Sequence, residues 1–337
     1  MSRIRFAAAV AAAVLMGTQP LMAAPTAPDQ CGGKDMLAEF KIKEPAVHQK
    51  IMDEAAKLEN TEAILWKVEK DGVPPSYLFG TIHLPDTRVA VISDTVKTVF
   101  FKSKTVALEI ADTSEAGIVE AMAKVPELLA YTDGTTLNGQ LTADEYAKVQ
   151  KVVTKTGMPG EAAAVIRPWM ISMLLAISDC NKAQMEAGKK ALDDRLEKDA
   201  KSNGATVIGL ETAESQLSNM ASVPNDAQIL MLKSGLAYVD RTDDMIETLV
   251  QMYLTRNLGA TMPFQKVLAE KSGVPVTAFD SFMKILVDDR NARMRDKAKP
   301  LLDKGAAFIA VGALHLPGKA GLVALFRNAG YRVAAVE

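Results

Sequence analysis

Six short runs rich in Val, Ile, Leu and Phe stand out along the chain. They are AILWKVE (63–69), SYLFGTI (76–82), TVALEIA (105–111), ATVIGLE (205–211), AAFIAVGAL (306–314) and YRVAAVE (331–337). Their apolar residues are nearly continuous rather than strictly alternating, which predicts strands buried on both faces. Between them apolar residues recur at helical spacing. AVHQKIMDEAAKLE precedes the first run and VISDTVKTVFFKS separates the second from the third. GLVALFRNAG, closed by Gly330, joins the last two as a crossover helix. Strands alternating with helices predict an α/β fold, a mostly parallel central sheet surrounded by helices.

Two long stretches, 113–203 and 213–304, carry helical patterns only. In the first, LTADEYAKVQKVV opens with Thr142 and has Glu145 three residues on, the signature of a capping box. RPWMISMLLAIS is apolar on most sides, which predicts burial. NKAQMEAGKKALDDRLEKDAKSNG reads as one long polar helix closed by Asn203-Gly204. With no linker-like segment, both stretches are expected to be helical insertions in a single domain spanning 24–337. The methionines scatter at helical spacing, as core filler does.

The first residues change the setting. Arg3 and Arg5 precede the apolar run FAAAVAAAVLM, and small residues follow around Ala23 and Ala24. This is the layout of a secretory signal peptide over residues 1–23, with an apolar run too short to span a bilayer. The protein is therefore expected to be exported to the periplasm or secreted, with no integral membrane segment after cleavage. Export gives the two cysteines a meaning: Cys31 and Cys180, an even pair in an oxidising compartment, are expected to form a disulfide. Cys180 is expected at the end of a helix. The formal charge of −2 offers no nucleic-acid surface. No phosphate loop or dinucleotide fingerprint is present.

The chemistry collects at strand ends. Only three histidines occur, and two stand in the same setting, YLFGTIHLP and FIAVGALHLP, with Gly80 three residues before His83 and Gly312 three before His315. Glu109 and Glu211 lie at the ends of the third and fourth runs. The C-terminal edge of a parallel sheet is where open α/β folds bind ligands, so these four residues can converge there. The glycines suit tight packing or close approach. His48, in an amphipathic helix among Gln and Lys, reads as surface. Two basic features join the set: Arg167 at the start of an apolar helix, and Arg290-Asn291 on the helix before the last histidine strand. Two imidazoles and a carboxylate make a three-ligand metal site with room for water. Glu211 is a candidate general base, and Arg167 or Arg290 a candidate oxyanion or carboxylate partner. This suits hydrolysis of an amide or ester. Two alternatives use the same cleft: a metal-independent, esterase-like hydrolase with a histidine base, and a ligand- or metal-binding protein without turnover.

The segments YLFGTIHLPD, ALEIAD, RPWM, GLETAESQ, DDRNARM and VGALHLPGKAGLVALFRNAGYRV together resemble the TraB/GumN (PrgY) family, which includes the Tiki proteins. The resemblance implies an active-site core of both G-x-x-H motifs and a strand-end Glu, and in the Tiki branch a metal-dependent protease. On that basis His83, Glu109 and His315 are the implied metal ligands. A divalent ion such as zinc, manganese or cobalt is the implied cofactor, and a peptide the implied substrate. The Arg290-Asn291 pair matches the family's RN segment.

Overall fold

In the computed structural model, residues 28–112 and 114–337 are described; the signal-peptide reading falls on residues outside these. The six apolar runs form six strands: β1 (Leu65–Glu69), β2 (Ser76–Thr81), β3 (Thr105–Ile110), β4 (Thr206–Glu211), β5 (Ala307–Gly312) and β6 (Arg332–Ala335). They make one mixed sheet in the order β4-β3-β5-β2-β1-β6. β4, β3, β5 and β2 run parallel. β1 runs antiparallel to both β2 and β6. The short β1–β2 connection explains this, because only a hairpin can join neighbouring strands over so few residues.

Five helices frame the sheet: α1 (Asp94–Lys102), α2 (Leu192–Ser202), α3 (Ala213–Ser222), α4 (Asp289–Lys304) and α5 (Leu322–Asn328). β5 lies at the centre and is buried along its whole length. Its Phe308 and Ala310 face Phe79, Phe100, Leu192 and Leu196 on one side. Its Ile309 and Val311 face Met294, Ala298, Leu322 and Phe326 on the other. Each such large apolar side chain contributes about 1.5–3 kcal/mol on burial. Further helices between β3 and β4 pack with the helix Asn225–Ala237 around a separate apolar cluster that includes Val149, Ile171 and Leu232. The Thr142–Glu145 capping box is present.

Three local expectations are corrected. The long polar helix is two helices, Asp179–Glu186 and α2, broken at Gly188 with φ +82°. Cys180 is joined to Cys31 in a disulfide, but it begins a helix instead of ending one, in the first turn after the Ser178 cap. The apolar helix Pro168–Leu175 buries Trp169, Ile171 and Leu175 but leaves Met173 exposed. No helix among the described residues is long and apolar enough to cross a membrane.

Candidate active site

Register brings the strand ends level. Thr81 of β2 pairs with Gly312 of β5, and Ile110 of β3 pairs with Glu211 of β4. Glu109 therefore sits near the end of β3, flanked by β4 on one side and β5 on the other, with β2 beyond β5. His83 follows β2 by two residues, and His315 ends a single helical turn that follows β5.

The three side chains meet. Nε2 of His83 and Nε2 of His315 each lie 3.7 Å from the same oxygen, Oε1 of Glu109. That oxygen also accepts the Gly312 backbone N–H at 2.7 Å. The other oxygen, Oε2, accepts from Arg290 Nη2 at 2.5 Å and from Gln216 Nε2 at 3.1 Å. Arg290 also grips Glu211 through Nε and Nη2, at 2.8 and 2.6 Å. Glu211 is 3% exposed, and its second oxygen, Oε1, is buried without a hydrogen bond. Arg293, half exposed, comes within 3.9 Å of that oxygen. Neighbouring residues on α4 point about 100° apart, so Arg290 reaches the carboxylates while Asn291 reaches His315.

Each imidazole is anchored at its other nitrogen. His315 Nδ1 lies 2.6 Å from Asn291 Oδ1, and the Asn291 amide donates to the Ala320 carbonyl at 2.9 Å. That second bond fixes the amide with its oxygen towards His315, so Nδ1 carries the hydrogen. His83 Nδ1 lies 2.7 Å from Asp193 Oδ2, while Asp193 Oδ1 accepts the Thr81 hydroxyl at 2.7 Å. Both rings therefore turn Nε2 towards Glu109.

The two rings differ in exposure, with side chains 57% exposed at His83 and 6% at His315. Burial pushes the His315 pKa down to about 4, against the pull of Glu109. For His83, crowding lowers the pKa, but Asp193 and Glu109 outweigh it and raise it well above the usual value; the open face of the ring strengthens that direction. Burial alone would raise the Glu109 carboxyl, yet His315, His83 and Arg290 hold it well below the usual range. Because His315 is neutral near pH 7, that work falls there to His83 and Arg290.

The donor set fits a divalent cation. Gaps of 3.7 Å are near the roughly 3.4 Å left between two ligands about 2.1 Å from one tetrahedral ion. A carboxylate oxygen and the Nε2 lone pairs that the two rings offer in their neutral form can together hold positive charge between them. A Cβ on Gly312 would stand 3.1 Å from His83 Nε2 and 3.2 Å from Glu109 Oε1, so the glycine keeps that space open. The trio does not draw all three ligand atoms within 4.8 Å of one another. Among the described residues only Cys31, Cys180 and Asp243 do so, and those sulfurs are spent in the disulfide. Of the three side chains, exposed His83 has the most room to move.

The structure brings His83, Glu109, His315, Glu211, Arg290, Asn291 and Gly312 together in one cluster. Gly80 stands one position off: its Cβ would meet Leu316 Cδ1 at 2.6 Å and Ala313 at 3.1 Å, so it seats the second histidine loop. Arg167 is outside the cluster. Its guanidinium lies over the Tyr131 ring at 5.1 Å, and Nε donates to the Glu127 carbonyl. His48 is partly buried on the helix Pro45–Ala55. Asp193, Thr81 and Gln216 were missed. The signal for Asp193 was Gly188 followed by Asp193-Asp194, an acidic helix start hidden inside a polar run. A cavity of about 360 Å³ lies elsewhere, between the helices Pro45–Ala55 and Thr261–Lys271 over Ile51, Val267 and Phe279.

The sequence model of the TraB/PrgY/gumN family matches residues 64–335. The chain is 26% identical over 194 residues to the uncharacterized protein YbaP of Escherichia coli, covering 57% of this chain and 68% of YbaP. It is 25% identical over 317 residues to Metalloprotease TIKI1 of Homo sapiens, covering 80% of this chain and 61% of TIKI1. To a Metalloprotease TIKI homolog of Nematostella vectensis it is 22% identical over 332 residues, 85% of this chain and 69% of that protein. The chain thus spans less than two thirds of human TIKI1. No solved structure matches it.

Proposed function

This chain belongs to the TraB/PrgY/gumN family, and on that premise we propose that it is an exported, metal-dependent hydrolase of peptide bonds or related amides and esters. One observation carries the reading: two imidazole Nε2 atoms face a single Glu109 oxygen across a gap that Gly312 leaves unfilled. The relatives named metalloproteases support it, and the disulfide supports export.

His83, His315 and Glu109 would hold the cation, and their nitrogen and oxygen donors suit zinc, manganese or cobalt. Bound there, it would supply Lewis-acid polarisation of a scissile carbonyl and a water of lowered pKa. The chain's own groups prepare the place. Arg290 bridges Glu109 and Glu211 and occupies Glu109 Oε2, so Oε1 is the oxygen turned to the histidines. We assign Glu211 to holding Arg290 instead of proton transfer, because its Oε2 is taken by Arg290 and Gln216 and its Oε1 is buried. The open side of His83 is the face from which a peptide would approach.

A second reading has its own observation. The Asp193–His83 pair, with an exposed ring, has the form of an oriented general base and needs no metal. Metal analysis of the purified full chain and turnover of a peptide library, with and without chelator, separate the two. The first reading expects about one divalent ion per chain and activity lost to chelator. Activity that survives complete metal removal would establish the second and overturn the first.

A further inference from the structure

We propose that Asp193, itself held by Thr81, is a positioning residue that fixes the tautomer and orientation of His83 and so completes the cation site from a helix outside both G-x-x-H segments. This deepens the metal-dependent reading and rests on it. An ionised carboxylate only accepts hydrogen bonds. With Asp193 Oδ2 at 2.7 Å, His83 Nδ1 must carry hydrogen, so in the neutral, ligating form of the ring Nε2 is left as the lone pair facing Glu109. Oδ1 is taken by the Thr81 hydroxyl, so the carboxylate is clamped between the end of β2 and the ring it aims. Asp193 is 13% exposed, whereas the His83 side chain is 57% exposed. A ring so open has little packing to hold it, and its direction depends on that hydrogen bond.

The bland account is that Asp193 merely favours the N-terminal turn of α2. Asp194 stands in the same turn and serves the helix dipole equally well. The helix-end account also leaves unexplained why both Asp193 oxygens are committed across the cleft, one to β2 and one to the histidine beyond it. Orientation of a ligating imidazole by a carboxylate does explain it, and loss of such a partner weakens metal binding by about 10–100-fold.

The test uses Asp193→Ala, Asp193→Asn, Thr81→Val and Thr81→Ser in the full chain. By calorimetry with zinc or cobalt ion, Asp193→Ala should bind about 10–100-fold more weakly. Asp193→Asn should recover most of the loss, since an amide oxygen still accepts from Nδ1–H. Thr81→Val should show a smaller loss that Thr81→Ser restores. Wild-type metal affinity in Asp193→Ala overturns the proposal. A second readout needs no metal: nitrogen NMR of the three imidazoles in metal-free protein, at alkaline pH where they are neutral. Wild-type His83 should be the Nδ1–H tautomer, and Asp193→Ala should lose that preference while His315 keeps its own. An Nε2–H tautomer at wild-type His83 overturns the proposal. If wild-type protein binds no metal but the tautomer still depends on Asp193, the positioning role stands and the metal-dependent reading falls. A helix-end role alone would lower the unfolding midpoint in the Asp193 variants and leave tautomer and affinity unchanged.

Discussion

His83 and His315 follow adjacent parallel strands through the same Gly-x-x-His-Leu-Pro sequence, yet the sheet holds the two copies one residue out of step. Thr81 pairs with Gly312, so Gly80 lies level with Val311. Side chains alternate between faces along a strand, and a one-residue offset turns corresponding positions to opposite sides. Gly312 consequently faces the carboxylate and both imidazoles, while Gly80 faces the loop that carries His315. The partners differ as well. His83 is open and held by a carboxylate from α2; His315 is buried and held by an amide from α4. The repeat in the sequence is therefore not a repeat of function. One copy supplies a buried, fixed imidazole, and the other an exposed one whose aim is set by a carboxylate.

The largest expected effect tests whether the copies share one ion. His83→Ala and His315→Ala should each weaken divalent-metal binding by at least about 100-fold, and the double variant should lose little more, because groups acting as a unit are non-additive. Independent, additive losses would break the shared site. Stability should separate the pair: His315→Ala strands the buried Asn291 oxygen and should cost about 1–3 kcal/mol in denaturant unfolding, well above the cost at exposed His83.

The glycines come next. Gly312→Ala should reduce metal affinity by about 10-fold or more with only a small shift in unfolding midpoint, since its Cβ enters the space between ligands. Gly80→Ala should do the reverse, costing about 1–3 kcal/mol of stability through overpacking on Leu316 and Ala313. Equal behaviour of the two variants in both assays would contradict the register argument.

The smallest effect is in pH dependence, and its sign differs between the histidines. In metal-free protein His315 has a folded pKa of about 4, below its unfolded value. The unfolded chain takes a proton that the folded one refuses, so stability falls as pH drops from about 6.5 towards 4, by at most about 1.4 kcal/mol per pH unit. His83 is raised, so the stability it contributes is present below the unfolded pKa and is lost as pH rises through its folded value. Unfolding midpoints across pH should flatten on the acid side in His315→Gln and on the alkaline side in His83→Gln. Glu109, held low, acts below its unfolded value near pH 4.5 and leaves most of the acid window to His315.

These contrasts mark where the sequence could be read. All six strands were legible because strands buried on both faces must be apolar almost throughout. The reversed direction of β1 was not, since an apolar run has no polarity. His83, Glu109 and His315 were legible because they sit just past such runs. Asp193 was not: an acidic pair in a polar stretch looks the same whether it meets water or a histidine. Arg167 and Arg290 looked alike for a similar reason, each a basic residue on a helix, and only packing sends one to Tyr131 and the other to two carboxylates.

The central place of β5 has a consequence for how the chain comes to be folded. β2 and β3 do not pair with each other; β5, which is encoded about 200 residues after β3, is inserted between them. Until residues 307–312 are available, the sheet is two fragments, each with an unpaired inner edge of the kind that invites association between molecules. Closing that gap is a long-range event, intrinsically slow relative to helix formation. The same strand brings His315 to Glu109 and His83. A chain lacking β5 thus has neither a continuous sheet nor the three-residue site, since both depend on that one strand.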